Sequence, residues 1–349
     1  MGDEQRDAAS RRPTMRDVAR AAGVSSTAVS FVLNDREGAR IAPETRARIL
    51  AAAERLGFRP NLTARQLRLQ QTQSIGMLTD GIASSPFAGQ IIRAVQDAAW
   101  ESGRLVLLVN TDGHTDVGRS AVRELLDRRV DGLIFASTVT RELAPLPELA
   151  AVPSVLINCF PAADGPQLPA VYPAEHAGGG LAAQRLIDAG HREIVYLAGD
   201  GDWPALQRTA AFRERMQDAR LPVDAGAVVP GPYTIDSGYE RARSILQRPD
   251  RPTALLCGND RIALGALLAA QALGLTVPED LSLVGYDDQE ELAGSVHPRL
   301  TTVSLPFYEL GRQGAETLLS VIAGEPVAAR REVVGELVER DSVAAPRHP

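Results

Sequence analysis

The stretch Thr14-Met15-Arg16-Asp17-Val18-Ala19-Arg20-Ala21-Ala22-Gly23-Val24-Ser25-Ser26-Thr27-Ala28-Val29-Ser30-Phe31-Val32-Leu33-Asn34 reads as two short helices around a tight turn. A hydroxyl at Thr14 with an acid three residues on, Asp17, is the pattern of a capping box. The first helix then runs to about Ala22, Gly23 supplies the turn, and Ser25 caps a second helix that ends near Leu33 and Asn34. Further on, Pro43 opens a third helix with Ile49, Ala53 and Leu56 on one face and Gly57 just past its end. Val18, Ala22, Val24, Val29 and Val32 face inward in this reading, leaving Ser26, Thr27, Ser30 and Phe31 outward. Small hydroxyls at the start of a helix suit base edges in a major groove, and Phe31 can touch a thymine methyl. The helix N-terminus favours a phosphate. Arg16, Arg20, Arg36, Arg40, Arg46, Arg48 and Arg59 surround the motif and can neutralise backbone charge. Residues 13–60 therefore read as a helix-turn-helix DNA-binding domain.

The charge distribution agrees. The chain has 349 residues and a net charge of −7, with no lysine. Residues 1–73 carry 13 arginines against 8 carboxylates, and the remainder carries 24 against 36. A basic head on an acidic body points to a polyanion met by the head. The length suits two or three domains. No apolar run reaches the roughly 20 residues of a membrane helix, and Met1–Arg12 lacks the apolar stretch of a secretory signal. A cytoplasmic protein with a disordered tail at 1–12 is expected. Cys159 and Cys257 sit in apolar runs and read as buried hydrophobes.

After the head, Arg59-Pro60-Asn61 leads into Leu62–Leu69, which is only weakly amphipathic and holds too little apolar surface to stay helical alone. Residues 61–73 read as a hinge that orders when something packs on it. From Ser74 onward, strand-length apolar runs alternate with helical patterns, first Ile75–Leu78 to Ser154–Asn158 and again from about Val171 to Leu281–Tyr286. That alternation predicts right-handed crossovers and parallel sheets in two similar lobes.

In such sheets ligands sit beyond the carboxyl ends of the strands. The polar and aromatic residues expected there are Phe87, Ser137, Thr138, Asp202, Trp203, Arg208, Tyr233, Asn259, Asp260 and Asp287. Carboxylates, an arginine fork and flat aromatic faces suit a polyhydroxylated ring. Asp260 reads equally as a cap for the helix at Ile262, and Phe87 has a place in the core as its lesser alternative. The five histidines lack metal-ligand spacing, and no phosphate-loop, Cys-x-x-Cys or His-Glu-x-x-His motif is present. Gly178-Gly179-Gly180 is a glycine-rich helix start, not a dinucleotide fingerprint. No catalytic residue, metal or cofactor is expected. An enzyme on two Rossmann-like domains would need that fingerprint or a nucleophile, and a periplasmic sugar-binding protein would have a signal and no basic head. No heptad repeat follows Val338, so no coiled coil is expected there.

Asp17-Val18-Ala19, Ala22-Gly23-Val24-Ser25 and Val29-Ser30-Phe31-Val32-Leu33-Asn34, with Thr45-Arg46, Gly57-Phe58-Arg59-Pro60-Asn61 and Ala64-Arg65-Gln66-Leu67, resemble the head of the lactose-repressor (LacI/GalR) family. Val130-Asp131-Gly132-Leu133-Ile134, Gly190-His191-Arg192-Glu193-Ile194, Leu283-Val284-Gly285-Tyr286-Asp287-Asp288 and Leu300-Thr301-Thr302-Val303 resemble its core domain. The resemblance implies an all-α helix-turn-helix DNA-binding head plus an α/β periplasmic-binding-protein-like core of two Rossmann-like lobes. The first lobe would be 74–171 with 303–331, and the second 172–302 with 332–343. It implies a homodimer on a near-palindromic operator, contacted by Thr14, Arg16, Ser25, Ser26, Thr27, Ser30, Phe31, Asn34, Arg59, Asn61, Ala64, Arg65, Leu67 and Arg68. Leu67 would wedge into the minor groove from a hinge that folds on DNA. Arg208, Tyr233 and Asp287 match family positions that contact effector, while Asp202 and Trp203 would tune which effector fits. The function implied is a transcriptional repressor whose operator affinity is set by a sugar or sugar derivative between the lobes. Three positions depart from the pattern: Phe31 where a basic residue is common, Ala42 where a hydroxyl usually caps the third helix, and Tyr172 where an Asp is common.

Overall fold

The computed structural model describes residues 13–33, 41–58, 72–84 and 88–347, which fall into two compact units, Met1–Thr72 and Gln73–Pro349. The first unit holds α1 (Met15–Ala22), α2 (Ser26–Leu33) and α3 (Pro43–Arg55). Thr14 and Asp17 form the reciprocal capping box, with the Thr14 amide donating to Asp17 Oδ2 at 2.9 Å. Gly23 ends α1 in the left-handed region at φ 64°, where a Cβ is disfavoured. Ser25 Oγ accepts the Ala28 amide at 3.2 Å and caps α2. At α3, Ala42 makes no side-chain cap bond and Pro43 begins the helix. Val18, Val29, Val32, Ile49, Ala52 and Ala53 form the small core, with Val24 and Leu56 packed on it half-buried. The tail 1–12, Asn34 and the greater part of the hinge lie outside the described residues.

The second unit is two sheets flanked by helices, parallel throughout except for the edge strand Leu337–Val338, which runs antiparallel to Thr301–Ser304. The first sheet runs β11-β5-β4-β3-β1-β2, built from β1 (Ser74–Thr79), β2 (Leu105–Asn110), β3 (Gly132–Leu143), β4 (Ser154–Pro161), β5 (Ala170–Pro173) and β11 (Arg330–Val333). Alternation along its strands feeds two faces. Ile75, Met77, Ile134 and Ile157 meet α4 (Gly89–Glu101) and α11 (Phe307–Ala323). Leu78, Leu133 and Leu156 meet α5 (Thr115–Asp127) and the short 3-10 turn Pro147–Ala151. The second sheet runs β12-β10-β9-β8-β6-β7, from β6 (Ile194–Leu197), β7 (Val228–Val229), β8 (Ala254–Cys257), β9 (Ser282–Asp287), β10 (Thr301–Ser304) and β12 (Leu337–Val338). It lies between α6 (Glu175–Asp188) with α7 (Trp203–Asp218) and α8 (Ile235–Leu246) with α9 (Asp260–Ala272). A four-residue helix α10 (Glu290–Ala293) follows β9. Among the described residues no helix is long and apolar enough to cross a membrane.

The chain passes between the sheets at residue 174, at 305–306 and at 334–336. The sequence places these crossings near 170–174, 302–306 and 331–335, and the lobe boundaries drawn at 171, 302 and 331 lie two or three residues before those observed. The cause is pairing: Val171 through Pro173 align with Arg331 through Val333 in the first sheet, and Val303 and Ser304 align with Tyr286 and Asp287 in the second. Backbone hydrogen bonding, which hydropathy does not report, holds those residues on their strands.

Candidate functional sites in the head and the cleft

In the head, Arg16, Ser25, Ser26 and Thr27 are exposed, while Thr14, Ser30 and Phe31 are half-buried. Ser26 and Thr27 begin α2, so their side chains stand beside its unsatisfied amide groups, and no acid lies in that first turn. Thr14 and Ser25, expected at the DNA, already serve as helix caps; an exposed Ser25 can do both, because its cap bond uses the oxygen as acceptor and leaves the hydroxyl proton to donate. Asn34, Arg59, Asn61, Ala64, Arg65, Leu67 and Arg68 lie outside the described residues.

Between the lobes a cavity of about 150 Å³ is lined by Thr138, Val139, Thr140, Asn158, Glu175, Asp202, Pro204, Arg208, Tyr233, Asn259, Arg261, Asp287, Leu305 and Phe307. Six of the expected residues meet there: Thr138, Asp202, Arg208, Tyr233, Asn259 and Asp287. Two of them are held by helix starts. Asp202 caps α7, accepting the Ala205 amide at 2.9 Å, and also accepts the Tyr233 hydroxyl at 3.0 Å. Asn259 caps α9, accepting the Ile262 amide at 2.9 Å.

Arg208 is the centre of the wall. It is 4% exposed, donates from Nε to Glu175 Oε2 at 2.7 Å and from Nη1 to the Gly258 carbonyl at 2.7 Å. Its guanidinium carbon lies 3.5 Å from the Tyr286 ring centroid. Nη2 has no hydrogen-bond partner among the described residues. Glu175 is itself 2% exposed, so the pair is a desolvated ion pair whose members depend on each other. Two of the three glycines of α6 explain how the partners meet. A Cβ on Gly178 would sit 2.0 Å from the Tyr286 hydroxyl, and one on Gly179 would sit 2.8 Å from Arg208 Cα.

Asp287 ends β9 at φ 105° and Asp288 follows at φ 51°, conformations that cost about 1–3 kcal/mol each for residues other than glycine. The Asp287 carboxylate lies 4.0 Å from Arg208 Nη1 and accepts from Gln289 Nε2 at 3.1 Å. Burial pushes its pKa up to about 7, an effect Arg208 only partly offsets. The site therefore holds a carboxyl that changes charge near neutral pH.

Four expected residues are placed elsewhere or not described. Asp260 is fully buried and neither caps α9 nor lines the cavity. It accepts the Thr302 hydroxyl at 2.7 Å and the Gln289 amide at 2.8 Å, tying together the ends of β9 and β10. Burial raises its pKa, and the neighbouring Asp287 adds to this. Ser137 is also fully buried and donates to Asp80 at 2.7 Å. Arg141 and Thr138 bond the same Asp80 carboxylate. Burial alone would raise the Asp80 pKa, but these hydrogen bonds outweigh it and hold the group below its ordinary value. Trp203 packs on Phe160 and Tyr172 instead of the cavity. Phe87 lies outside the described residues.

Sequence reasoning missed most of the first lobe's contribution. Ala136 pairs with Ile157 and Arg141 with Cys159, so four residues of β3 oppose the single Asn158, which takes φ 56°. This bulge carries Thr138, Val139 and Thr140 into the cavity wall. Asn158 closes it, donating to the Ser137 carbonyl at 2.8 Å and accepting from Thr140 Oγ1 at 2.6 Å. As the polar end of an apolar strand, Asn158 met the same rule that picked Ser137. Glu175, Leu305 and Phe307 left no such signal. Among the described residues no cluster of His, Cys, Asp and Glu could hold a metal.

Comparison with known proteins adds relatives along the whole chain. Residues 14–61 match the bacterial regulatory proteins of the lacI family, and residues 183–343 match the periplasmic binding protein-like domain. The HTH-type transcriptional repressor PurR of Vibrio vulnificus is 35% identical over 95% of this chain and 98% of its own length. The ribose operon repressor of Escherichia coli K12 is 34% identical over 94% of this chain and 99% of its own. Among solved structures, the lac repressor dimer bound to operator and the anti-inducer ONPF aligns with a TM-score of 0.76 at 29% identity, covering 96% of this chain and 100% of that one. The complex of the transcriptional regulator CelR with cellobiose aligns with a TM-score of 0.65 at 31% identity, covering 95% and 100%.

Proposed function

The chain belongs to the lacI family of bacterial regulatory proteins, and from that premise we propose that the small molecule controlling it is a carbohydrate of about one ring, held in the cleft between the lobes. It is a DNA-binding transcriptional repressor with an effector-binding domain. The observation that carries the carbohydrate reading is the make-up of the cavity wall. Asp287, Asn259, Asp202, Tyr233 and the open Nη2 of Arg208 offer donors and acceptors from one lobe, and Phe307 supplies a flat apolar face beside them. A cavity of about 150 Å³ accommodates a six-membered ring, and it shares Arg261, Asp287, Leu305 and Phe307 with a larger opening beside it. Ring hydroxyls satisfy such a mixed wall, whereas an apolar ligand would strand it.

Ser26, Thr27, Ser30 and Phe31 on α2 read the major groove in this proposal, with Arg16 on the backbone and Leu67 wedging the minor groove from the hinge. Two copies act together on a near-palindromic site. An apolar strip supports self-association: Trp100 is 74% exposed, and the edge strand β2 presents Leu105 at 60% and Leu108 at 38%. A protein that binds operator DNA works where the chromosome is, in the cytoplasm. The sugar acts as inducer, favouring the lobe arrangement that binds operator less well.

Thermal unfolding of the full chain with pentoses, hexoses, disaccharides and purine bases tests the cleft. A binder at about 100 times its Kd adds about 2.7 kcal/mol of stability. A shift by one monosaccharide, accompanied by release of a promoter fragment in a gel-shift assay, is expected. A shift produced by a purine base alone would overturn the carbohydrate reading.

A further inference from the structure

Trp203 stands between two residues of the cavity wall, Asp202 and Pro204, yet its own ring is not part of that wall. It begins α7 of the second lobe and packs on two rings of the first. Phe160 of β4 lies 5.3 Å away at 60°, and Tyr172 of β5 lies 5.9 Å away at 85°, both edge-to-face. Phe160 and Tyr172 contact each other at 5.5 Å and are only 9% and 5% exposed. The Arg330 guanidinium of β11, 5.4 Å from the Phe160 centroid, backs the cluster from the first lobe. Phe160 reaches this position because β3 and β4 stay paired past the bulge, from Arg141 with Cys159 to Leu143 with Pro161. The two strands thus overhang the cleft.

We propose that Trp203 is a positioning residue, an aromatic latch that holds the two lobes closed and couples that closure to the cleft. The lobes cannot separate without pulling the indole off Phe160 and Tyr172 and wetting all three faces. Asp202 is fixed to Trp203 by the chain and to Tyr233 by a 3.0 Å hydrogen bond. A ligand bonded to Asp202 and packed on Pro204 therefore bears on the residue that makes the latch. Two edge-to-face pairs of this kind raise the closed-to-open ratio about ten-fold. The latch rests on the cleft reading only for what it controls, since closure is measured without any sugar.

The test is an inter-lobe distance. Both native cysteines are fully buried, at 0% and 1% exposure, and escape labelling. Nitroxides on Arg119→Cys of α5 and Arg213→Cys of α7, both exposed, report the separation by pulsed electron resonance in the full chain, with labelled protein diluted in unlabelled. The latched protein gives one narrow distribution. Trp203→Leu adds a longer distance with a population about ten-fold higher, Phe160→Leu, which leaves the Tyr172 pair in place, raises it about three-fold, and the double substitution adds little beyond Trp203→Leu alone. Trp203→Phe, which keeps a ring, stays near the parent and guards against a folding artefact. A Trp203→Leu distribution that superimposes on the parent, or substitutions whose effects simply add, would overturn the latch. A failed sugar screen with an intact distance response would count against the cleft reading alone.

Discussion

Arg208→Ala is the perturbation whose cost the structure sets most directly. The substitution removes a cation 2.7 Å from Glu175 in a site where the two side chains are 5% and 1% exposed. It also removes the donor to the Gly258 carbonyl and the cation over Tyr286. A buried charge stripped of its partner costs about 3–5 kcal/mol, because water cannot replace the lost guanidinium. For a unit of this size that corresponds to a fall in Tm of about 10 °C. The measurement is urea and thermal unfolding of the full chain, followed on the second unit. Glu175→Gln in the same background is the decisive companion. It removes the stranded charge while keeping the shape, so the double variant should recover about 2 kcal/mol over Arg208→Ala alone. If Arg208→Ala costs under about 1 kcal/mol, or if Glu175→Gln recovers nothing, the ion pair is not the keystone of this wall. One consequence reaches the effector assay. Loss of sugar response in Arg208→Ala reports both a missing ligand donor and a disturbed cleft, so a subtler variant is needed to separate them.

Tyr233→Phe is that variant: it removes only the hydroxyl that donates to Asp202 at 3.0 Å, and should weaken sugar binding about five-fold while shifting stability by about 1 kcal/mol or less, read by calorimetry and unfolding. Asp287 carries a pH dependence. Its pKa in the folded chain, about 7, lies above the ordinary carboxylate value of 3.8, so the folded state prefers the neutral form. Its contribution to stability is complete below about pH 4 and is lost as pH rises through 7, to the extent of roughly 2–4 kcal/mol. Asp287→Asn, which tolerates the same positive φ, should flatten that part of the urea midpoint profile between pH 4 and 8; identical profiles would contradict the assignment. Gly179→Ala puts a Cβ 2.8 Å from Arg208 Cα, where only backbone movement gives relief. It should cost about 1–3 kcal/mol in unfolding and lower sugar affinity by shifting Arg208.

What the sequence discloses about this molecule divides by range. Thr14 with Asp17, Gly23, Ser25 and Pro43 are local signals, and each acts within about one turn of its own helix. The head is therefore legible almost residue by residue. Asp202-Trp203-Pro204 is also a local signal, an acid one residue before a helix whose first turn carries proline, and it marks a cap more clearly than a loop contact. The cleft is a different matter. Glu175 and Arg208 are 33 positions apart, and Asp260 and Thr302 are 42 apart. Strand–helix alternation put Arg208 and Asp287 beyond the right strands, but it carried no information about which acid each would face. The bulge of β3 is illegible for the same reason, since it exists only where β4 turns at Asn158.

These long-range pairings also place the candidate effector site beside the points where the chain crosses between the lobes. Asp287 is at once a cavity residue, a strained residue and a neighbour of the second crossing, because its carbonyl accepts the Leu305 amide at 3.1 Å. Leu305 and Phe307, on either side of Pro306, line the same cavity. Any rotation of one lobe on the other must be taken up at residue 174, at 305–306 and at 334–336, where the chain leaves one sheet for the other. Two of these three crossings therefore adjoin the cavity: the second through Leu305 and the first through Glu175, the residue after Ala174. A ligand that stabilises one set of these contacts over another has the differential affinity that a shift between lobe arrangements requires. The third crossing, at 334–336, contributes nothing to the cavity wall, and a substitution there should alter the balance of lobe arrangements without altering the ligand's contacts.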